Sequence, residues 1–352
     1  MSFLDEALQR ENAVVESSGS GSDSSPIRRV VRFSGAGAEL EAALGGAVAC
    51  PLLEWAAISI AGADAATFLQ GQFTNDVADL AVGAVQWSGY CSPKGRLLAN
   101  FPLARTSDSD YVLVMPADIA AGFVRRLRMF VLRAKVVVTP LAESHLCFGL
   151  HATAAADTFV PPGTVVRDGD GVLSIGMPDG RTLVVCDAAA ATGFWQQATR
   201  TATRAGSPVW DWLAIRNGIP VVTAATQDRF VPQMLNWELL GGVNFRKGCY
   251  TGQEIVARMQ YLGRLKERLY RGRTTAPIAP GAPLYGERFG DQACGTIVNA
   301  APSPEGSHEV LAVIQTASAE ADAIRTGHGA DAAVVELLSL PYDVPARAAQ
   351  PG

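Results

Sequence analysis

Support for metal chemistry is the first thing this sequence lacks. Its six cysteines, Cys50, Cys91, Cys147, Cys186, Cys249 and Cys294, are widely scattered with no CxxC pair. Its four histidines, His145, His151, His308 and His328, repeat at no ligand spacing. Zinc and iron–sulfur sites draw on closely spaced Cys/His sets, so no resident metal is expected, and free thiols fit a reducing cytoplasm. A membrane-spanning run is also missing. The longest apolar region, Leu44 to Gly62, is broken by Pro51 and Glu54, whereas a span needs about 20 largely uninterrupted apolar residues. The N-terminus carries Asp5, Glu6 and Glu11 before any apolar stretch, unlike the basic start and apolar core of a secretory signal. Nor is there an excess of positive charge. Against 34 Asp+Glu stand 29 Lys+Arg, a formal net charge of −5, which argues against a global phosphate-binding surface. Neither a membrane nor bulk nucleic acid is expected as a partner, while a local basic patch stays open.

What is present is an ordinary globular balance, 48% hydrophobic and 18% charged over 352 residues, enough for two or three cores. Residues 17 to 25, Ser-Ser-Gly-Ser-Gly-Ser-Asp-Ser-Ser, read as a flexible linker. The folded body is expected from Ala47, with residues 1–46 as a mobile arm. A strand over Trp55 to Ile60 leads to a helix capped by Asp64. Alternating stretches Ala84 to Tyr90 and Arg96 to Leu103 flank a hairpin at Ser92-Pro93-Lys94-Gly95. Tyr111 to Met115 and Lys135 to Thr139 read as strands around an amphipathic helix over Asp118 to Leu132. A similar order recurs across His145 to Arg204, and a short helix over Trp210 to Arg216 ends at Asn217-Gly218. After Lys266, short strands between Gly and Pro residues predict a small β-barrel, with a tail after Pro341. The fold class is α+β. The expected domains are residues 47–145 with 205–262 as the main α+β body, 146–204 as a second α+β subdomain, 263–341 as the barrel, and 342–352 as the tail.

Chemistry concentrates in Asn236 to Tyr270, NWELLGGVNFRKGCYTGQEIVARMQYLGRLKERLY. Gly248 permits a tight turn, Thr251 can cap the helix that follows, and Cys249 would then lie near a helix N-terminus beside Arg246 and Lys247. Those conditions lower a thiol pKa into a reactive range, although a lone cysteine is also read as a small buried hydrophobe. A second segment, Phe68-Leu69-Gln70-Gly71-Gln72-Phe73-Thr74-Asn75-Asp76, places Gln72 and Asn75 where their amides either bond a heterocycle or cap backbone groups. In a third, Ser92 to Phe101, Lys94 and Arg96 put cations at a turn. They are able to meet carboxylates or to stand in solvent.

The run Lys247-Gly248-Cys249-Tyr250-Thr251-Gly252-Gln253-Glu254 resembles, residue for residue, the Lys-Gly-Cys-Tyr-x-Gly-Gln-Glu signature of the YgfZ family of tetrahydrofolate-binding proteins. The Phe68 to Asp76 segment is similar to a motif that family shares with the aminomethyltransferases of the glycine cleavage system, and the hairpin is similar to the family's Pro-Lys-Gly-Arg turn. The resemblance covers roughly residues 50 to 340. It implies a multi-domain ring around a central cavity that binds tetrahydrofolate or a one-carbon derivative. It also implies a cytoplasmic accessory role toward iron–sulfur cluster assembly or repair, with client enzymes including tRNA-modifying ones. By the resemblance Cys249 is the signature cysteine and Lys247 its basic neighbour. Glu238 sits where the related transferases carry a pterin-binding acid. Trp237 and Tyr250 either wall the pocket or pack in the core, Lys94 and Arg96 would meet the glutamyl tail, and Arg258 faces either the cavity or solvent.

One departure separates the chain from those transferases. Where they place paired acids after the hairpin, this chain reads Pro93-Lys94-Gly95-Arg96, and a cation cannot serve as the base or ammonium partner. Ordinary aminomethyl transfer is therefore disfavoured. A folate-dependent one-carbon transferase using Cys249 or a pocket acid, and a scaffold that has lost its ligand, are the competing readings.

Overall fold

The computed structural model describes residues 3–18, 26–153, 160–263, 265–329 and 331–345. The linker expected at 17–25 and the tail expected from 342 lie largely outside the described residues. The chain begins with α1 (Phe3–Arg10), a two-stranded sheet of β1 (Val14–Ser18) and β2 (Ile27–Arg32), and α2 (Ala36–Gly45). It continues through β3 (Ala47–Pro51), β4 (Trp55–Ala61), α3 (Ala65–Gln70), β5 (Val85–Cys91), β6 (Leu97–Arg105), β7 (Asp110–Pro116), α4 (Ala117–Arg128) and β8 (Val137–Pro140). Next come β9 (His145–Ala152), β10 (Val165–Arg167), β11 (Val172–Gly176), β12 (Thr182–Asp187), α5 (Ala191–Ala198), β13 (Thr203–Arg204), α6 (Ser207–Arg216) and α7 (Gln253–Tyr261). The C-terminal part holds β14 (Glu267–Thr274), β15 (Pro283–Tyr285), β16 (Ala293–Pro302), β17 (His308–Gln315), α8 (Thr316–Ala321) and β18 (Glu336–Leu338).

Three larger sheets carry the body, in strand orders β5-β6-β7-β4-β8, β10-β11-β12-β9-β3-β13 and β15-β16-β17-β14-β18. Their shared side is apolar. A single core cluster takes Trp87 from β5, Val112 from β7, Leu183 from β12, Trp210 and Trp212 from α6, and Leu311 from β17, together with Trp237. Bulky aromatics bury large apolar areas each, so this side of the sheets is filled by side chains. On its other face the first sheet packs Tyr90, Phe101 and Tyr111 against Phe123 and Leu127 of α4.

The expected C-terminal barrel is corrected: among the described residues the five-stranded sheet stays open. Its edges β15 and β18 do not pair, and only isolated bridges, Tyr285 to Arg325 and Arg325 to Val334, cross the gap. Pro and Gly punctuation indicates short strands but not whether the last one closes on the first. The expected arm is corrected as well. Leu8, Val30 and Leu40 are buried, and Glu39 joins these residues to the body. Its Oε1 accepts from the Phe33 and Ser34 N–H groups at 2.7 and 2.6 Å, and its Oε2 from the Gly206 N–H at 2.8 Å. Gly206 has room for no side chain there, since a Cβ would fall 2.1 Å from the Val31 carbonyl oxygen. Two further expectations shift. Asp64 takes the cap position of α3 without a capping bond, its Oδ2 instead accepting the Lys135 N–H at 2.7 Å. The helix expected to Leu132 stops at Arg128, and Leu132 has φ 45.

Arg29 of β2 ties this N-terminal region to α6 through Asp211 and lies 3.7 Å from Glu54. Both Glu54 carboxylate oxygens are buried without a hydrogen-bond partner. Burial, opposed by Arg29, pushes the Glu54 carboxyl up to about 7. The unfolded chain releases that proton near the ordinary glutamate value while the folded chain still holds it, so stability falls as pH rises from about 4.5 to about 7. Glu54→Gln is expected to flatten that slope and recover on the order of 2–3 kcal/mol at neutral pH. Urea denaturation of both proteins across this range checks it, and an unchanged slope refutes it.

Candidate functional site

The three sequence motifs, far apart in the chain, meet at one place. α3 ends at Gln70, and Lys247 closes that end. Its Nζ donates to the Gln70 and Phe73 carbonyl oxygens, each at 2.6 Å, satisfying one acceptor that the helix terminus leaves open and one in the turn that follows it. Thr74 Oγ1 accepts the Gly89 N–H at 2.8 Å and donates to the Gly242 carbonyl at 2.6 Å. Asn75 Nδ2 donates to the carbonyls of Trp87 and Gly241, both at 2.8 Å, while Asn75 Oδ1 accepts the Asp76 N–H. Both amide protons are thereby engaged, and Asn75 frames the site by capping backbone. The hairpin joins from the other side. Gly95 (φ 70) and Gly252 (φ 84) stand against each other, a Cβ on Gly252 falling 2.4 Å from the Ser92 oxygen and one on Gly95 falling 2.8 Å from Ile255 Cβ. Positive φ and this close approach together require glycine.

Gly252, rather than Thr251, is the N-cap of α7, and it makes no side-chain capping bond. Gln253 Oε1 instead reaches back to the Tyr250 N–H at 3.3 Å. Cys249 is exposed in the loop before this helix, and it is the one exposed cysteine among the described residues. Lys247 faces away from solvent, its Nζ 5.1 Å from the Tyr250 ring centroid. Burial lowers the Lys247 ammonium to about 8, with Asp76 opposing the shift, and burial raises the Tyr250 phenol.

Beside this junction lies a buried polar pair that the sequence half-showed. Glu238 Oε1 accepts from Arg268 Nη1, which also bonds the Gln233 carbonyl at 2.9 Å. Glu238 Oε2 is buried and has no partner. Burial raises the Glu238 carboxyl and Arg268 opposes it. Trp237 is fully buried, 5.4 Å from the Trp87 ring, with its Nε1 unpartnered. A Cβ on Gly242 would fall 2.2 Å from that nitrogen, so the Gly241-Gly242 pair lets the chain pass over the indole. Gln72 Oε1 is also buried and unpartnered. Lys94 and Arg96 are exposed on the hairpin, Arg96 Nη1 donating to the Asp228 carbonyl at 3.3 Å, and Arg258 is exposed on α7. Arg268, Trp87 and Thr74 were not singled out from the sequence. Arg268 lies inside the Asn236 to Tyr270 segment, and its alternation as a strand residue of β14 was the available signal.

Among the described residues, neither of two cavities is lined by a residue expected to hold folate. One of about 480 Å³ is bordered by Arg273, Glu305, Ser307 and Glu336, and one of about 310 Å³ by Tyr90, Phe123, Arg125, Arg126 and Gln227. Among the described residues no cluster of three or more His, Cys, Asp or Glu side chains is placed to hold a metal, and no helix is long and apolar enough to cross a membrane.

The tRNA-modifying protein YgfZ of Enterobacter sp. (strain 638) is 31% identical over 304 residues, covering 83% of this chain and 92% of that protein. Its counterpart in Shigella dysenteriae serotype 1 (strain Sd197) is 32% identical with the same coverage. The chain belongs to the YgfZ family. The family model of the GCVT N-terminal domain matches residues 7–159, so part of the region expected as an arm lies inside a recognised domain. The crystal structure of glycine cleavage system aminomethyltransferase T from Bartonella henselae superposes with TM-score 0.79 at 14% identity over 96% of both chains. That likeness shows the fold: this YgfZ family member has the α+β, multi-sheet architecture of the aminomethyltransferases.

The clasp predicts a cost. Lys247→Met leaves two carbonyl oxygens without their donor and is expected to destabilise the chain by about 1–3 kcal/mol. Chemical denaturation checks this, and a change below about 0.5 kcal/mol, the usual range for an uninvolved surface position, would refute the clasp.

Proposed function

We propose that this YgfZ family member binds tetrahydrofolate, or a one-carbon derivative, beside the junction of its three motifs. We propose further that it serves tRNA modification as an accessory protein supporting iron–sulfur enzymes. The observation that carries the folate reading is that three residues singled out from the sequence, Gln72, Trp237 and Glu238, each hold a buried polar atom with no partner. Leaving such groups unmet is costly, and a pterin offers what they lack: N–H donors for the two oxygens and an acceptor for the indole N–H. Glu238, held by Arg268, would take the N–C(NH₂)–N edge, Trp237 would wall the ring, and Tyr250 would border it. The exposed cations Lys94, Arg96 and Arg258 are the candidates for the glutamyl tail.

In this proposal residues 47–145 and 205–262 form the folate-binding body, 146–204 the second subdomain, and the C-terminal sheet completes a ring. Cys249 is the exposed thiol through which the chain acts on its clients, and a cytoplasmic setting suits it. The names of the curated relatives support the tRNA link. The absence of the transferases' paired acids at Pro93 to Arg96 favours an accessory protein over an aminomethyltransferase.

Calorimetric titration with tetrahydrofolate tests the site. Wild type is expected to bind saturably, and Glu238→Gln, with a native near-UV circular dichroism spectrum, to bind at least about tenfold more weakly, as for a lost charge-assisted bond. Cys249→Ser is expected to bind normally and yet fail to complement a deletion strain. Equal affinity of the Glu238 variant refutes the site, and full rescue by the Cys249 variant refutes the thiol's role.

A further inference from the structure

The cavity of about 310 Å³ beside α4 is not used by the folate reading, and its lining is unlike a simple packing defect. Tyr90, Leu98 and Phe123 give it apolar and aromatic walls, while Arg125, Arg126 and Gln227 bring polar groups to the same space. Two of those groups face one another. Tyr90 is 1% exposed, and its buried hydroxyl stands beside the Arg126 guanidinium. The Nε of Arg126 is itself buried and makes no hydrogen bond. Gln227 is oriented by its Nε2 donating to the Leu98 carbonyl at 2.8 Å. The nearest acid in sequence, Asp228, has its carboxylate turned to the Ser92 hydroxyl at 2.6 Å, so it does not neutralise the guanidinium groups.

The segment that supplies the cavity's arginines is rich in cations. Arg125, Arg126, Arg128, Arg133 and Lys135 fall within eleven residues, and no acid occurs between Asp118 and Glu143. Arg128 is committed to the Val138 carbonyl through Nε and Nη2 at 3.1 and 2.6 Å, but Arg125, Arg133 and Lys135 are exposed. A chain of net charge −5 thus carries a concentrated basic ridge, of which Arg125 and Arg126 line the cavity.

We propose that this cavity is a phosphate-binding site in which Arg126 and Tyr90 donate to the phosphoryl oxygens and Arg125 closes the mouth. A guanidinium and a phenol together supply several donors and no competing anion, the chemistry that phosphate recognition needs. The phosphate belongs either to a small phosphorylated molecule or to the backbone of an RNA strand lying along the ridge. This proposal is independent of the folate site, because none of its residues contributes there.

The test is titration calorimetry at fixed ionic strength, with inorganic phosphate and with an unmodified tRNA transcript. It compares wild type, Arg126→Gln, Arg126→Lys and Tyr90→Phe, with Arg273→Gln as a distant control. Wild type and the control should bind phosphate saturably. Affinity should fall about tenfold or more in Arg126→Gln, less in Arg126→Lys, and a few-fold in Tyr90→Phe, the range for lost charged and neutral donors. Circular dichroism and thermal melting confirm that each variant folds. If tRNA binds in an Arg126-dependent manner and phosphate competes with it, RNA is the source. If phosphate binding depends on Arg126 while tRNA binding does not, the source is a small molecule. No saturable phosphate binding by wild type up to about 10 mM, an affinity too weak to be specific, overturns the proposal. So does an Arg126→Gln variant that binds as wild type.

Discussion

The structure turns on one buried ammonium. Lys247 Nζ holds the carbonyls of Gln70 and Phe73, and in doing so fastens the loop after Gly242 to the end of α3. Around it Thr74 and Asn75 tie the same loop to β5, and the Gly95 and Gly252 contact brings in the hairpin. Pulling a lysine out of water is costly, and burial accordingly lowers its pKa to about 8. A neutral apolar side chain of the same length would need no such desolvation, but it could not satisfy the two carbonyls. The consequence is a loop whose backbone is fixed on one side while Cys249 is presented to solvent on the other.

This arrangement separates two roles that the signature places side by side in sequence. Arg246 and Lys247 precede Cys249, and adjacency suggests that they act on the thiol. In space Lys247 faces inward to structural partners, and the thiol faces outward from a loop that leads into α7 through a glycine cap without a side-chain capping bond. At the start of the same segment Trp237 is buried in the core next to Trp87, and Glu238 is paired with Arg268. One continuous stretch of chain therefore supplies an ion-paired carboxylate, a fastening and an exposed thiol in that order.

How much of this the sequence disclosed can be read from particular residues. The strands around the hairpin and the helix ending at Asn217-Gly218 were legible, because alternation and a left-handed glycine are local properties; Gly218 indeed has φ 66. The packing of residues 27–45 was not legible. The Ser/Gly stretch before them reads as a break, and the contact that anchors them, Glu39 with Gly206, spans 167 residues. The open C-terminal sheet was missed for a similar reason, since closure depends on which edges meet. In the candidate site, Glu238 was singled out through resemblance, whereas Arg268 required knowing that β14 passes beside it. Asp64 shows the limit of local rules: a good cap residue in the cap position spends its carboxylate on Lys135 N–H, 71 residues away in sequence.

The account stands or falls on whether the motifs form one energetic unit. A double-mutant cycle on Lys247→Met and Thr74→Val, read by urea denaturation, measures this directly. Contacts that share a segment couple by about 0.5–3 kcal/mol, whereas independent sites add within roughly 0.3–0.5 kcal/mol. The account predicts a coupling above about 1 kcal/mol, because either change alone frees the loop that the other holds. Simple additivity would contradict it and leave the three motifs as neighbours that merely share a fold.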